Sequence, residues 1–300
     1  MDTQFYMPVR VIEGEECVRR NAALFAPFGR RALIVTGKSS ASNGSLADAA
    51  AVLDANGQAY EIFDRIPQNP TVECVREGAE AAKRCGAEFV VAAGGGSPMD
   101  AAKAIALLAR QNIGDLFAEP IGNDALPMIH IPTTAGTGSE VTPYAILTRS
   151  DKETKQSISA PSLFPKIAFL DGKYTESLPQ NITVNTAIDA VSHAVEGMLS
   201  SKAGAASDAL ARESLRILLG EYESLRAGEY SPAVRQNLLR GAALAGMVIA
   251  NTGTSPVHSM GYSLTYHCGI PHGRANGLLL PAFLKRCLQK DERRTRRVFD

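Results

Sequence analysis

At 300 residues and 31.9 kDa the chain exceeds one typical domain of ~100 to 200 residues, so two domains are expected, although a single large α/β fold lies within reach. Hydrophobic residues make up 45% and charged residues 21%, a globular balance that excludes bulk disorder. With 31 Lys and Arg against 31 Asp and Glu, nothing in the global charge drives the chain toward nucleic acid or an anionic membrane.

The first eight residues lack the basic and apolar regions of an export signal, and no apolar run approaches the ~18 residues of a membrane span. Apolar, β-branched bursts at 31–36, 59–63, 88–93 and 128–131 predict buried strands. Between them, Ala-rich 3.6-residue periodicity predicts helices over 45–55, 71–85 and 98–110. Strict β-α alternation implies a parallel sheet wrapped by helices, with ligands at the carboxyl ends of the strands. From about Gly172 the pattern turns helical, with helices predicted over 185–199, 204–219, 233–250 and 274–288. The polar stretch 175–181 predicts the seam, giving an α/β domain over 1–177 and an all-helical domain over 178–300. Residues 290–300 end inside a charged, uncapped helical pattern, so either a frayed tail or a helical domain short of its final helices is expected. Cys17, Cys74, Cys85, Cys268 and Cys287 are odd in number and free of any CxxC, which excludes a disulfide framework and points to a reducing cytoplasm.

Two loops carry nucleotide chemistry. Gly94-Gly95-Gly96-Ser97-Pro98-Met99-Asp100 follows a predicted strand and opens a predicted helix, with Ser97 as N-cap, Pro98 at N1 and Asp100 at N3. Exposed N–H groups and the helix dipole there suit a phosphate, Lys103 is expected as a cation on the same rim, and a ligand-free tight turn is an equal reading of the glycines alone. Pro132 to Glu140 adds four hydroxyls and two glycines after the next strand. Two such turns on neighbouring strands favour a nucleotide.

Asp189 and His193 sit at i and i+4, where one helix face can present both to a metal. A solvated pair is the commoner outcome of that spacing. The chain has only five histidines, however, and His258 and His272 lie in a Gly-rich stretch of the same helical half. One carboxylate and three imidazoles suit Fe²⁺, Zn²⁺, Ni²⁺ or Co²⁺. A Lewis acid facing a nucleotide site suggests hydride transfer to nicotinamide. His130, in a predicted strand, is expected to be a satisfied core residue.

Together, residues 94–103 (GGGSPMDAAK), 131–142 (IPTTAGTGSEVT), 189–196 (DAVSHAVE) and 271–276 (PHGRAN) resemble the iron-containing (group III) alcohol dehydrogenases, and the likeness runs from Phe5 to about Leu288. The resemblance implies a dehydroquinate synthase-like α/β nucleotide domain followed by a helical metal domain, with the active site in the cleft between them. It implies Fe²⁺, or Zn²⁺, on Asp189, His193, His258 and His272. It implies cofactor contacts from Gly95, Gly96, Ser97, Asp100, Thr133, Thr134, Thr137, Asn69 and Lys155, a small alcohol or aldehyde substrate, and a homo-oligomer. Such chains usually continue beyond the length seen here.

Beside that difference in length, the sequence departs from the family near the substrate. Where many members carry a further His near the substrate stands Tyr262, a residue type whose ordinary pKa of ~10 makes it a poor base near neutrality. His267, of a type that ordinarily titrates near ~6.5 and placed here in a loop, is the other candidate relay. After the first predicted strand, where an acidic residue would accept from the ribose 2′-OH, the chain has Gly37, Lys38, Ser39 and Ser40, so NADP is expected over NAD. The activity expected is reversible hydride transfer between NAD(P)H and a short-chain alcohol, aldehyde or diol, with Met247, Val257, Met260 and Leu264 as candidate apolar neighbours of the substrate. The competing readings are a zinc-dependent polyol dehydrogenase, a dehydroquinate synthase-like lyase, and a non-catalytic binding protein.

Overall fold

The computed structural model describes residues 3–299. They form two compact units. One runs from Pro8 to Thr134 and from Ser139 to Ser177; the other gathers the residues ahead of Pro8, the loop Ala135–Gly138 and the chain from Leu178 onward. The main seam lies between Ser177 and Leu178, and the N-terminal and loop excursions belong to the helical unit despite their place in the sequence.

The first unit is a parallel α/β structure. Its strands are β1 (Arg10–Glu13), β2 (Arg31–Thr36), β3 (Ala59–Phe63), β4 (Phe89–Gly94), β5 (Met128–Pro132), β6 (Tyr144–Arg149), β7 (Thr154–Ser159) and β8 (Ile167–Leu170). Six of them pair in the order β1-β8-β5-β4-β2-β3, all parallel, while β6 and β7 form a separate antiparallel hairpin. Helices α1 (Cys17–Arg20), α2 (Ser45–Ala55), α3 (Val72–Cys85) and α4 (Gly96–Leu108) complete the unit.

Side chains alternate across the central strands. Leu33, Val35, Val90 and Ala92 enter one core with residues of α3 and α4, whereas Ala32, Ile34, Phe89, Val91 and Ala93 enter the other with residues of α1 and α2. Burial on both faces explains why these strands read as continuous apolar runs rather than as alternation. The chain leaves β2 toward β3 and leaves β4 in the opposite direction toward β5. The carboxyl ends of β2 and β4 therefore flank a topological switch point, the usual place for a ligand in such sheets.

The sequence reading does not include β1, β8 or the hairpin. β1 is a four-residue edge strand and β7 is the polar string TKQSIS, so neither carries a buried-strand signature, whereas β8, between β1 and β5, is the fully buried apolar run IAFL and does carry one. β3, expected to be buried, is the opposite edge strand, and only Phe63 in it is buried. A second difference concerns α4, which begins at Gly96 with Gly95 as its N-cap, two residues earlier than expected. Ser97 is therefore inside the first turn.

His130 is fully buried in β5, and neither ring nitrogen has a hydrogen-bond partner. It is a core residue, but not the satisfied one expected. Burial, reinforced by the Lys103 cation, holds its pKa well below the ordinary value. A histidine kept neutral in the fold but free to protonate on unfolding removes stability as pH falls below its unfolded value of ~6.5. His130→Leu should therefore gain on the native protein by up to ~1.4 kcal/mol per pH unit between pH 6.5 and 5. Urea unfolding across that range checks this; parallel stability curves would refute it.

The second unit consists of α5 (Gln180–Leu199), α6 (Ala205–Gly220), α7 (Tyr222–Ala227), α8 (Pro232–Thr252), α9 (Pro256–Cys268), α10 (His272–Lys290) and α11 (Glu292–Arg296). No described helix is long and apolar enough to cross a membrane. Helix α5 packs against α6, α8 and α10, and α9 packs against α10. A Cβ on Gly273 would fall 1.8 Å from the Asn185 carbonyl oxygen, so only glycine lets α10 approach α5 this closely. Gly138 has φ +61°, and a Cβ there would fall 2.5 Å from Gly246 Cα on α8, which fixes the 135–138 loop to the helices.

Candidate metal centre and nucleotide loops

Three helices converge on one small volume. Asp189 and His193 come from consecutive turns of α5, His258 from the first turn of α9, and His272 from the first residue of α10. Asp189 Oδ1 lies 3.4 Å from His258 Nε2 and 3.7 Å from His272 Nε2. The ligand atoms of Asp189, His258 and His272 lie within 4.8 Å of one another, as a shared metal ion requires. His193 adjoins them, its ring stacked on that of His258 at 4.4 Å. It is not one of the three that converge.

The donors suit a cation. Burial opposes an ionised carboxylate, yet the imidazoles of His193, His272 and His258 hold Asp189 well below the usual carboxylate range. Burial lowers His193 to about 4, so its imidazole is neutral at physiological pH, and its buried Nδ1 has no hydrogen-bond partner. Burial also opposes the charged form of His258, but contacts with Asp189 and Glu196 raise it to about 9. The Asn276 amide donates to Asp189 Oδ1 at 2.9 Å and lies 3.1 and 3.2 Å from the Nε2 atoms of His258 and His272. An orphaned buried nitrogen, an ionised carboxylate and converging imidazoles fit a divalent first-row ion.

The sequence reading treats the stretch holding His258 as Gly-rich and that holding His267 as a loop; both lie on α9. Ser255-Pro256 is a helix-start signal that could have revealed it. Tyr262 follows His258 by four residues, on the same face, and stacks on His272 with ring centroids 5.1 Å apart. His267 follows by nine, roughly half a turn around an α-helix, and is exposed with its ring edge-on to Tyr266. The helix thus brings Tyr262 to the cluster and turns His267 away. Among the expected apolar neighbours Val257 is buried, Met247 and Leu264 are partly so, and Met260 is exposed.

In the α/β unit, Gly94 pairs with Pro132, which puts the two Gly- and Thr-rich loops side by side at the carboxyl ends of β4 and β5. Thr133 N–H donates to the Gly94 carbonyl at 3.0 Å, and Gly95 lies against Thr134, where an added Cβ would come within 3.1 Å of its methyl. Gly96 opens α4. Asn69, in the left-handed conformation at φ +59°, donates its N–H to Ser97 Oγ and accepts from Thr148 Oγ1, both at 3.1 Å. Its side-chain oxygen accepts from Lys155 Nζ at 2.7 Å. Asn69, Ser97 and Lys155 form one network. Thr137 belongs to the loop held by the helical unit.

Three residues take other positions than expected. Asp100 does not sit at N3 facing a ligand; it accepts from Ser139 Oγ at 2.6 Å and from the Ile146 N–H at 3.1 Å. Lys103 is not on the rim but fully buried, donating to Ser139 Oγ, Thr142 Oγ1 and the Tyr144 carbonyl at 2.8, 3.2 and 2.7 Å. Ser40 is buried and donates to the Ala93 carbonyl at 2.8 Å, leaving Gly37 and exposed Lys38 at the end of β2; the Ser39 side chain lies outside the described residues. Each polar group is spent on supporting a loop.

Burial lowers Lys103 to about 8, against the pull of Asp100 and Glu140, while burial raises Glu140 to about 7. Lys103→Met should remove the cation beside Asp100 and the buried donor of Ser139 Oγ, Thr142 Oγ1 and the Tyr144 carbonyl, and is expected to destabilise the fold by about 3 kcal/mol. Chemical unfolding measures this; a loss under 1 kcal/mol would contradict the pairing described.

The chain matches two family descriptions, iron-containing alcohol dehydrogenase over residues 8–172 and the C-terminal region of the Fe-containing alcohol dehydrogenase family over residues 183–300. It belongs to the iron-containing alcohol dehydrogenase family and is an oxidoreductase acting between alcohols and carbonyl compounds. Lactaldehyde reductase of Escherichia coli K12 is 34% identical over 261 residues, which are 85% of this chain and 68% of that protein. An iron-containing alcohol dehydrogenase from Thermotoga maritima is 42% identical, with a TM-score of 0.91 over 99% of this chain and 82% of that one. Sulfoacetaldehyde reductase from Bifidobacterium kashiwanohense, solved in complex with NAD⁺, is 31% identical with a TM-score of 0.88 over 96% of this chain and 77% of that one.

Proposed function

We propose that the chain reduces short-chain aldehydes, and oxidises the corresponding alcohols or diols, with a divalent metal on Asp189, His193, His258 and His272. The convergence of Asp189, His258 and His272 within 4.8 Å carries this reading. Fe²⁺ is the ion the family name supports, and Zn²⁺ suits the same donors. The ion would supply Lewis acidity toward a carbonyl or alcohol oxygen, and the nicotinamide the hydride.

The protein's own part is positional. The α/β unit binds the dinucleotide: the α4 N-terminus and the Gly94–Ser97 turn offer backbone N–H groups to its phosphates, with Thr133 and Thr134 along the second loop. Thr137, in the loop grouped with the helical unit, is a further contact the resemblance implies. Asn69 and Lys155 hold each other ready for the same ligand. Residues from 178 bind the metal, and there Asp189 carries the negative charge, His193 is held neutral by burial, and His258, raised by Asp189 and Glu196, would give up its proton to the ion. Of the two expected relay residues Tyr262 has its ring stacked on His272 while His267 is turned away, which supports Tyr262 for the proton role. Kinship with a lactaldehyde reductase supports small hydroxyaldehydes as substrates. The resemblance supports a homo-oligomer in the cytoplasm.

Oxidation of NADPH by the Fe²⁺-loaded protein under anaerobic conditions, across short aldehydes and hydroxyaldehydes, tests the proposal. His258→Ala should cut turnover more than ~100-fold and weaken Co²⁺ binding as severely, since even outer partners of a ligand are worth ~10- to 100-fold. Cofactor bound without stoichiometric oxidation would instead indicate a lyase or a binding protein.

Gly37 supports NADP over NAD. A Cβ there would meet only Pro98 Cγ at 3.4 Å and the Ile66 carbonyl at 3.5 Å, ordinary contacts that leave room for a side chain. Gly37→Asp should therefore fold, accept from a ribose 2′-OH and repel a 2′-phosphate. The ratio of kcat/KM values for NADH over NADPH is expected to rise about tenfold or more, the worth of one charged hydrogen bond; an unchanged ratio would remove Gly37 as the determinant.

A further inference from the structure

Glu196 closes the motif that begins at Asp189. It lies one turn beyond His193 on α5 and is fully buried. Its two oxygens serve different partners. Oε2 makes a short contact with Nδ1 of His258. Oε1 accepts from the N–H of Ser255 at 2.9 Å, from the N–H of Val257 at 3.1 Å, and from the Ser255 hydroxyl.

Ser255 and Val257 are the N-cap and second residue of α9, and the N-cap side chain makes no capping bond of its own. The open N–H groups at the start of α9 are thus satisfied by a carboxylate reaching across from α5, where the helix dipole also favours negative charge. The same carboxylate occupies His258 Nδ1. With that nitrogen donating to Glu196, Nε2 is the nitrogen left to offer its lone pair to a metal in exchange for a proton, and it is Nε2 that lies 3.4 Å from Asp189 Oδ1.

We propose that Glu196 is a positioning residue: by capping α9 and accepting from His258 Nδ1–H, it sets both the placement of that helix and the tautomer with which His258 faces the metal site. The proposal rests on Asp189, His193, His258 and His272 being the ligand set. A carboxylate behind a ligating imidazole fixes the ring and raises its basicity, and loss of such a partner weakens metal binding ~10- to 100-fold. Glu196 needs no contact with substrate to act in this way.

The test is Co²⁺ titration of Glu196→Gln, read by calorimetry and by the visible absorption bands of the Co²⁺ protein, beside Ser255→Ala and His258→Ala. Glutamine keeps the shape and one carbonyl acceptor for the α9 cap but lacks the charge. The expected result is a Kd raised ~10- to 100-fold with altered Co²⁺ bands in Glu196→Gln, and lowered thermal stability with unchanged affinity and bands in Ser255→Ala. Native affinity and bands in folded Glu196→Gln would overturn the proposal, as would an equal loss of affinity in Ser255→Ala, which would reduce Glu196 to a helix cap. If the glutamine variant does not fold, Glu196→Asp replaces it: its carboxylate, one methylene shorter, should weaken Co²⁺ binding in the same direction, and native affinity would overturn the proposal equally. Native Co²⁺ binding by His258→Ala would instead sink the ligand set itself.

Discussion

A carboxylate has been taken out of water at Asp189, only 4% exposed in the interior of a helical unit, and much of that unit's design answers this fact. An isolated buried charge is prohibitively costly, so groups that favour its ionised form must surround it. The chain supplies them from three helices: His193 from the same face of α5, His258 from the start of α9 and His272 from the start of α10. Their packing has to be close for this to work, and Gly273 marks the point where α10 could not approach α5 if a side chain intervened. The result holds a negative charge beside three imidazoles, one of them, His258, itself drawn toward its charged form by Asp189 and Glu196, and a divalent cation could take the place of that proton.

The α/β unit solves a different problem with similar economy. A parallel sheet buried on both faces leaves its loops as the only places for polar chemistry, and the loops after β2 and β4 flank the switch point of the strand order. Loops rich in glycine and threonine are compliant, so something must brace them. Beneath them, Asp100 and Lys103 join Ser139, Thr142 and the β6 backbone into a buried polar support. Asn69 ties the β3–α3 turn to Ser97, Thr148 and Lys155. Half of a short motif can therefore offer backbone N–H groups to a ligand while the other half carries the load of holding them still.

Helix geometry decides which polar side chains of the metal-binding half take part. Tyr262 and His267 are only five residues apart, and on a loop either could have turned inward. On α9 they cannot both do so, because four residues from His258 returns to its face whereas nine leads to the far side. Kinship with the iron-containing alcohol dehydrogenases supplies the reaction class. The identity of the aromatic neighbour at His272 is a feature of this chain's own sequence.

Much of this was legible beforehand, for identifiable reasons. Strands β2, β4 and β5 and the helices between them announced themselves because burial on both faces enforces unbroken apolar runs and because helices keep a 3.6-residue period, while β3 was legible as a strand although it proved to be an exposed edge. The Asp189–His193 spacing and the glycine turn after β4 are local patterns and could be read locally. The edge strand β1 and the polar hairpin were not, since a four-residue edge strand or a string such as TKQSIS borrows its structure from its partner. Nor could the sequence say that Lys103, Asp100 and Ser40 face inward, that His267 faces away, or that Glu196 reaches from one helix to the start of another. Those are facts about which residues meet across tens of positions, and only the packing of the finished fold decides them, because burial and hydrogen-bond partners are properties of neighbours in space rather than along the chain.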